Sequence, residues 1–292
     1  MENPLTFIAL DFETANEDLT SVCQVGISTF TNGIITNTFK TYIDPRDEFS
    51  FLNIAIHGIT PEDVVGSPTI EQFFPFMHQM LGENIIVHYT HFEKTVINQI
   101  VEKYDLLQPQ INYLDASVVV RRTWEEFSKR GYGLGNIAEF LGIEFNHHDA
   151  LEDSIATGKI LIAAIEKTGI NIGDWFDQIR KRKKLPRNYN YQPSNKFDPN
   201  AEGDFYGEHV IFTGTLSQYT RTEARNIAAS VGFEAPDTTV TKKTTMLVVG
   251  IQDIQKLKGQ ELSSKNRDAL KYINLGFQIR IISEKDFYKF ID

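Results

Sequence analysis

Residues 7–14 read Phe-Ile-Ala-Leu-Asp-Phe-Glu-Thr. Four apolar side chains run straight into Asp11-Phe12-Glu13, the pattern of a strand buried on both faces that ends at a charged site. Strand side chains alternate, so Asp11 and Glu13 point to one side while Phe12 returns to the core. Two carboxylates at the end of a buried strand repel each other and lose hydration. They persist most easily where a cation sits between them. Asp11 and Glu13 are therefore read as hard-metal ligands, and further ligands are expected elsewhere in the chain.

Two alternating stretches, 22–30 and 34–43, flank Thr31-Asn32-Gly33. Asn-Gly between strand-like runs is a hairpin signal, so the first three strands are expected as an antiparallel meander. Residues 44–60 read as loop, and Thr60-Pro61-Glu62-Asp63 as the capped start of a short helix. Apolar spacing predicts helices over 69–81, 91–104, 134–141 and 149–167, the first of them despite Pro75. Short strands are expected at 84–89 and near 111–119. A strand-rich start followed by alternating helices and strands predicts an α/β layer structure on a mixed sheet.

The stretch 186–203 is polar, with three prolines and four asparagines, and reads as an extended linker. From Phe205 a second βα unit is expected, with strands at 208–213, 245–249 and 278–282 and helices at 220–231, 263–275 and 284–290. The expected organisation is a first domain over 1–170, a basic and polar linker over 171–203, and a second domain over 204–292. A length of 292 residues fits about two domains.

The net charge of −10 argues against a strong nucleic-acid binder, but the charge is unevenly placed. Residues 180–198 hold seven basic side chains and one acidic one, so this segment carries +6 and the remainder −16. A basic tether between acidic modules can hold a phosphate backbone, or it can be a solvated linker. Cys23 is the single cysteine. It excludes an internal disulfide framework and, in its apolar run, reads as a small core residue. The opening MENPLTF lacks a basic segment followed by an apolar one. No apolar run approaches the ~18 residues of a membrane span. The expectation is a cytoplasmic protein with no membrane partner.

Two further runs qualify as partners of Asp11 and Glu13. One is His88-Tyr89-Thr90-His91-Phe92-Glu93, where a strand becomes a helix. The other is His148-Asp149-Ala150-Leu151-Glu152-Asp153 at the start of a helix. His148 and Asp153 are five apart, which on one continuous helix separates them by about 140°. They converge only if His148 lies in the loop before the helix. His147 is read as a loop histidine. His88 and His91 lack metal-ligand spacing to any cysteine, which argues against zinc.

With Asp11-Phe12-Glu13-Thr14, Gly58-Ile59-Thr60 and the His148–Asp153 run in this order, the chain resembles the DnaQ-like 3′–5′ exonucleases. More narrowly it resembles the DEDDh class, which includes the proofreading epsilon subunit of bacterial replicative polymerase. The resemblance covers about residues 5–167. It implies a ribonuclease H-like mixed sheet flanked by helices and two Mg²⁺ or Mn²⁺ ions per active site. It makes Asp11, Glu13 and Asp153 metal ligands and His148 the general base. Two such ions about 3.5–4 Å apart activate water and stabilise the leaving oxygen. Magnesium takes oxygen ligands, which suits carboxylates. A histidine with an ordinary pKa near 6.5 accepts a proton at neutral pH.

The family's middle motif carries Asn and Asp where this chain has Tyr89 and Glu93. Glu93 is either the fourth carboxylate, one methylene longer than usual, or a helix N-terminal Glu favoured by the dipole. By the same resemblance Thr14 touches the terminal nucleotide, and His57 is a turn residue near the substrate groove.

In the second unit, Glu208–Leu216, Thr220–Ala224 and Thr241–Gly250 resemble a BRCT domain, a small α/β module, over about 205–292. The resemblance implies phosphate binding through Thr213, the Gly214 N–H and Lys265. A hydroxyl, a backbone donor and an ammonium converging on an anion is sound chemistry. The alternative is that Thr213-Gly214 only makes a strand-to-helix turn. Taken together, the resemblances imply a metal-dependent 3′–5′ exonuclease releasing 5′-mononucleotides from DNA. Single-stranded 3′ ends are the expected substrate, with a BRCT module docking DNA, a DNA polymerase or a repair protein. The rivals are an exoribonuclease or oligonucleotide nuclease on the same fold, and an inactive nuclease fold used as a binding platform.

Overall fold

The computed structural model describes residues 6–82, 84–128, 131–180, 197–201, 203–236, 238–252, 262–277 and 279–291. The chain divides into two compact units, Met1–Arg182 and Lys183–Asp292.

The first unit is built on a five-stranded sheet of order β3-β2-β1-β4-β5. Strands β1 (Thr6–Thr14), β2 (Val22–Thr31) and β3 (Ile34–Tyr42) form the expected antiparallel meander, turning at Asn32-Gly33. Both turn residues have positive φ, 51° and 79°, as a tight hairpin requires. Strands β4 (Ile85–His88) and β5 (Asn112–Asp115) add in parallel on the other side of β1. The sheet is therefore mixed, and β1 lies at its centre, buried from Phe7 to Leu10 as its apolar run demands.

Helices α1 (Phe51–His57), α2 (Ile70–Leu81) and α3 (Phe92–Tyr104) come from the first crossovers. Helices α4 (Ala116–Thr123), α5 (Leu134–Leu141), α6 (Ala150–Thr168) and α7 (Ile172–Arg180) follow, with a 3₁₀ turn at Glu125–Phe127. Ala156, Ile160, Leu161 and Ala164 of α6 share one core with Phe7, Phe30, Val87 and Leu114 of the sheet. Two glycines bring α6 onto the strands. A Cβ at Gly158 would fall 2.1 Å from the Phe30 ring, and one at Gly26 would fall 2.0 Å from the Ala150 carbonyl carbon.

Four local expectations change. The strand expected near 111–119 stops at Asp115, whose Oδ1 accepts the Ser117 N–H at 2.9 Å and starts α4. Val118-Val119-Val120 favours strand locally, but Ala116, Ser117, Val119 and Val120 are buried at helical spacing. Part of the loop expected over 44–60 is α1, capped by the Ser50 hydroxyl, which accepts from Asn53 N–H at 3.2 Å. The short helix expected at Thr60 is a set of turns. The linker expected from residue 171 begins instead as α7, because Ile172 and Trp175 are buried in the first unit's core. Most of the basic segment, 181–196, lies outside the described residues.

The second unit carries a three-stranded parallel sheet, β6 (Val210–Thr213), β7 (Met246–Val249) and β8 (Arg280–Ser283), in that order. Helices α8 (Arg221–Ser230), α9 (Ser264–Ile273) and α10 (Glu284–Ile291) accompany it. Thr220 and Glu223 close a reciprocal capping box on α8. Among the described residues no helix is long and apolar enough to cross a membrane.

Candidate active site

Asp11 and Glu13 emerge on the same side of β1, paired across the ladder with Gly26 and Gln24. The flat surface at Gly26 lets the first turn of α6 lie against β2, where the Ala150 N–H donates to Gln24 Oε1 at 2.8 Å. Ser154 Oγ meets Ser28 Oγ at 3.1 Å one turn later. Asp149 caps the helix, accepting from Leu151 N–H at 3.1 Å, and Lys40 Nζ holds its other oxygen at 2.8 Å. This docking carries Asp153 to the carboxylates of β1. One oxygen from each of Asp11, Glu13 and Asp153 lies within 4.8 Å of the others.

Burial, with Asp153 next, holds the carboxyls of Asp11 and Glu13 well above the usual carboxylate range. Burial also raises Asp153, against the pull of His147. Glu93, in the first turn of α3, adds its negative charge to those that raise the Asp11 carboxyl. It is 2% exposed, and its Oε2 stands 3.6 Å from His88 Nδ1. Four acidic side chains are thus gathered at one site, Glu93 and Asp153 buried and Asp11 and Glu13 partly open to solvent.

The donor set fits hard divalent cations. Glu93 Oε2 and Asp153 Oδ1 are buried and make no hydrogen bond, facing only His88 Nδ1 at 3.6 Å and His147 Nδ1 at 3.2 Å. Leaving such acceptors unmet is costly unless a cation completes them. All the converging atoms are carboxylate oxygens, the ligands magnesium and manganese prefer.

His148 lies in the loop before α6 with φ 68°, a left-handed conformation uncommon outside glycine but more accessible to histidine than to most side chains. That bend answers the spacing problem, since the loop position lets it meet Asp153. The His148 N–H donates to Asp153 Oδ2 at 3.2 Å. Burial first, then the neighbouring His147 and His57, push its imidazole down to about 3, so it is neutral at physiological pH.

His147 is more than a loop histidine. Its Nδ1 stands 3.3 Å from Asp153 Oδ2, and its ring stacks on that of His148 with centroids 4.0 Å apart and planes within 11°. The only sequence signal for this was the His147-His148 doublet immediately before the cap.

The remaining expected residues are placed as follows. Thr14 is buried, its carbonyl accepting from Asn53 Nδ2 at 2.8 Å and its hydroxyl 3.3 Å from the same nitrogen. His57 ends α1. Its Nδ1 accepts the Ile59 N–H at 2.9 Å, which leaves Nε2–H to donate to the Thr14 carbonyl at 3.1 Å. Burial lowers its pKa. Tyr89, at the family's Asn position, is buried in the core and bonds the Tyr132 carbonyl.

In the second unit, Thr213, Gly214 and Lys265 are brought together. Thr213 Oγ1 meets Ser263 Oγ at 3.2 Å, and Lys265 Nζ donates to the Phe212 carbonyl at 2.9 Å. Gly214 has φ 72° and no room for a Cβ, which would fall 2.6 Å from Gln252 Nε2. Arg221, which the sequence reading passed over, donates to the Phe212 carbonyl and to that of Gly214, the latter at 2.6 Å.

Residues 8–161 match the RNase_T exonuclease family. The chain belongs to this exonuclease family. The match spans all the carboxylates and both histidines of the site. The exonuclease domain is 30% identical over 184 residues to the DNA polymerase III subunit epsilon of Aquifex aeolicus, covering 61% of this chain and 90% of that protein. It is 27% identical over 168 residues to the PolC-type DNA polymerase III of Caldanaerobacter subterraneus subsp. tengcongensis, covering 55% of this chain but only 12% of the relative. In fold it is similar to cell-death related nuclease 4, with a TM-score of 0.50 at 19% identity over 56% of this chain and 64% of that one. Family membership makes this a nuclease-type hydrolase domain in a divalent-metal-dependent family.

Proposed function

We propose that the protein is a 3′–5′ exonuclease that removes 5′-mononucleotides from single-stranded 3′ ends of DNA with Mg²⁺ or Mn²⁺. The observation that carries this is the convergence of Asp11, Glu13 and Asp153, with His148 folded back onto Asp153 and the buried Glu93 beside them. Asp11, Glu13, Asp153 and Glu93 would hold two cations, which when bound neutralise the scissile phosphate and activate water. Glu93 serves here as the fourth carboxylate, since its burial and its effect on the Asp11 carboxyl are more than a dipole-favoured surface Glu would show.

His148 accepts the proton of the attacking water on its imidazole. The neutral ring is the competent form, and an arriving phosphodiester brings negative charge that raises its basicity. His57 and Asn53 fix the backbone that follows Glu13 by holding the Thr14 carbonyl. Thr14 and His57 in this role shape the place where the terminal nucleotide sits.

The second unit is assigned as a BRCT module over about 204–292, preceded by a basic tether that ends before residue 197, since Asn200 is buried and its N–H donates to the Ala229 carbonyl at 2.8 Å. Thr213, the Gly214 N–H and Lys265 form its phosphate pocket, and its ligand is DNA or a phosphorylated partner in a polymerase or repair assembly. The relative named as a polymerase subunit supports such an assembly.

The test is a substrate panel. Labelled single-stranded DNA and RNA of one sequence are incubated with Mg²⁺ or Mn²⁺. DNA consumed faster from its 3′ end supports the reading. Faster loss of RNA makes it an exoribonuclease, and no hydrolysis of either makes it a binding platform.

A further inference from the structure

Among the described non-glycine residues with positive φ, Thr90, at 72°, is the β-branched one. A branched Cβ makes that conformation a true outlier, which persists only where the surroundings over-determine it. Thr90 stands between β4 and α3, three residues before Glu93. Its side chain does not account for the bend, because Thr90 Oγ1 is buried without a hydrogen bond. Its backbone contacts do. The Thr90 N–H donates to Asp115 Oδ1 at 3.1 Å, and the Thr90 carbonyl lies against His88 Nδ1. A carbonyl only accepts, so that nitrogen carries the proton and donates.

His88 and Asp115 are themselves buried, and they face each other across the β4–β5 ladder. Asp115 Oδ1 also accepts the Ser117 N–H at 2.9 Å and the Ser117 hydroxyl at 2.6 Å, so the carboxylate is held in place from its own strand end. Two side chains on neighbouring strands thus grip both backbone polar groups of one strained residue. What lies downstream of the grip is Glu93. Its Oε2 makes no hydrogen bond, and the 3.6 Å to His88 Nδ1 is beyond hydrogen-bond length. The helix start has no side-chain cap at His91 to fix it either. The bend at Thr90 therefore sets where α3 begins, and with it the point from which the Glu93 side chain reaches out.

Resting on the exonuclease reading with Glu93 as its fourth carboxylate, we infer that His88 and Asp115 are positioning residues: by holding the Thr90 carbonyl and N–H, they fix the start of α3 where a side chain of Glu length meets the metal site.

The experiment is calorimetric titration of the full chain and its variants with Mn²⁺, at a temperature where metal-free melting shows each of them folded. His88→Ala and Asp115→Ala each remove one contact. The Mn²⁺ dissociation constant is expected to rise about 10–100-fold in either, the usual cost of losing the support behind a ligand. His88→Asn keeps a donor and Asp115→Asn keeps an acceptor, so both are expected within about threefold of wild type. Glu93→Gln is expected to weaken Mn²⁺ binding by itself. Adding His88→Ala or Asp115→Ala to it should then change little, because both act through Glu93. Glu93→Asp leaves the grip untouched and is expected to weaken binding about tenfold or more, since the shorter carboxylate falls short. Wild-type affinity in both alanine variants, or in Glu93→Asp, would overturn the inference. So would an equal loss from His88→Ala in the Glu93→Gln and wild-type chains, the mark of a general loosening. Where an alanine variant does not fold, Glu93→Asp decides. A wild-type chain that binds Mn²⁺ but hydrolyses no single-stranded DNA would instead sink the exonuclease reading and leave the effects on Mn²⁺ affinity standing.

Discussion

Asp11 and Gly26 face each other across the β1–β2 ladder, and the Ala150 carbonyl of α6 sits where a Gly26 side chain would be. A metal ligand, the glycine opposite it and the helix bearing the third carboxylate are thus stacked at one point. Gly26→Ala must push α6 off β2 or strain both, at about 1–3 kcal/mol. The expected outcome is a lower melting temperature together with weaker Mn²⁺ binding, because Asp153 moves with the helix. Thermal melting and calorimetry check it, and unchanged Mn²⁺ affinity would mean that α6 does not set the site.

Asp11 works against the metal-free fold. Burial and the neighbouring Asp153, Glu93 and Glu13 raise its carboxyl, as burial and the same neighbourhood raise Glu13. A carboxyl whose folded pKa is raised holds its proton longer in the folded state than in the unfolded one. Stability from it is therefore complete below the unfolded value of about 4 and is lost as pH climbs toward the raised folded value. In EDTA the protein should melt lower at pH 8 than at pH 5, and Mn²⁺ should restore the loss. Asp11→Asn should flatten that pH dependence. Relief of about 1 kcal/mol of repulsion at pH 8 raises the midpoint by about 2–4 °C in a domain of this size, while hydrolysis disappears.

His148→Ala removes the imidazole but keeps the backbone N–H on Asp153 Oδ2. Turnover should fall about 10²–10⁴-fold, the range for a lost general base. Mn²⁺ affinity by calorimetry should hold. Loss of binding together with turnover would make His148 a ligand.

The sequence made the chemistry more legible than its scaffolding. Asp11 and Glu13 could be read because a carboxylate after a buried apolar run has few innocent explanations, and Asp153 because the His148–Asp153 run resembles a family motif. The hairpin at Asn32-Gly33 could be read because turns have local chemistry. Helix α4 was hidden because three successive valines favour strand locally, and only packing against the core decides for helix. Helix α7 was hidden because its two core anchors, Ile172 and Trp175, stand among polar neighbours. The approach of His147 to Asp153 was invisible because it is a contact six residues ahead, made across a left-handed bend at His148.

The C-terminal half should act on affinity alone. Thr213→Ala combined with Lys265→Ala removes the hydroxyl and ammonium of the proposed phosphate pocket. On long single-stranded DNA the double variant should show a raised KM that depends less on salt, with kcat unchanged, since tethering adds encounter without new chemistry. Identical KM and salt dependence would assign the module to protein docking.

The most direct measurement follows 5′-labelled single-stranded DNA through time, with Mg²⁺ or with EDTA, beside the same strand carrying a blocked 3′ end. The account requires a ladder shortening one nucleotide at a time from the free 3′ end in Mg²⁺. Neither EDTA nor the blocked strand should give a ladder. Undiminished hydrolysis in EDTA, or shortening of the blocked strand at the same rate, would contradict it.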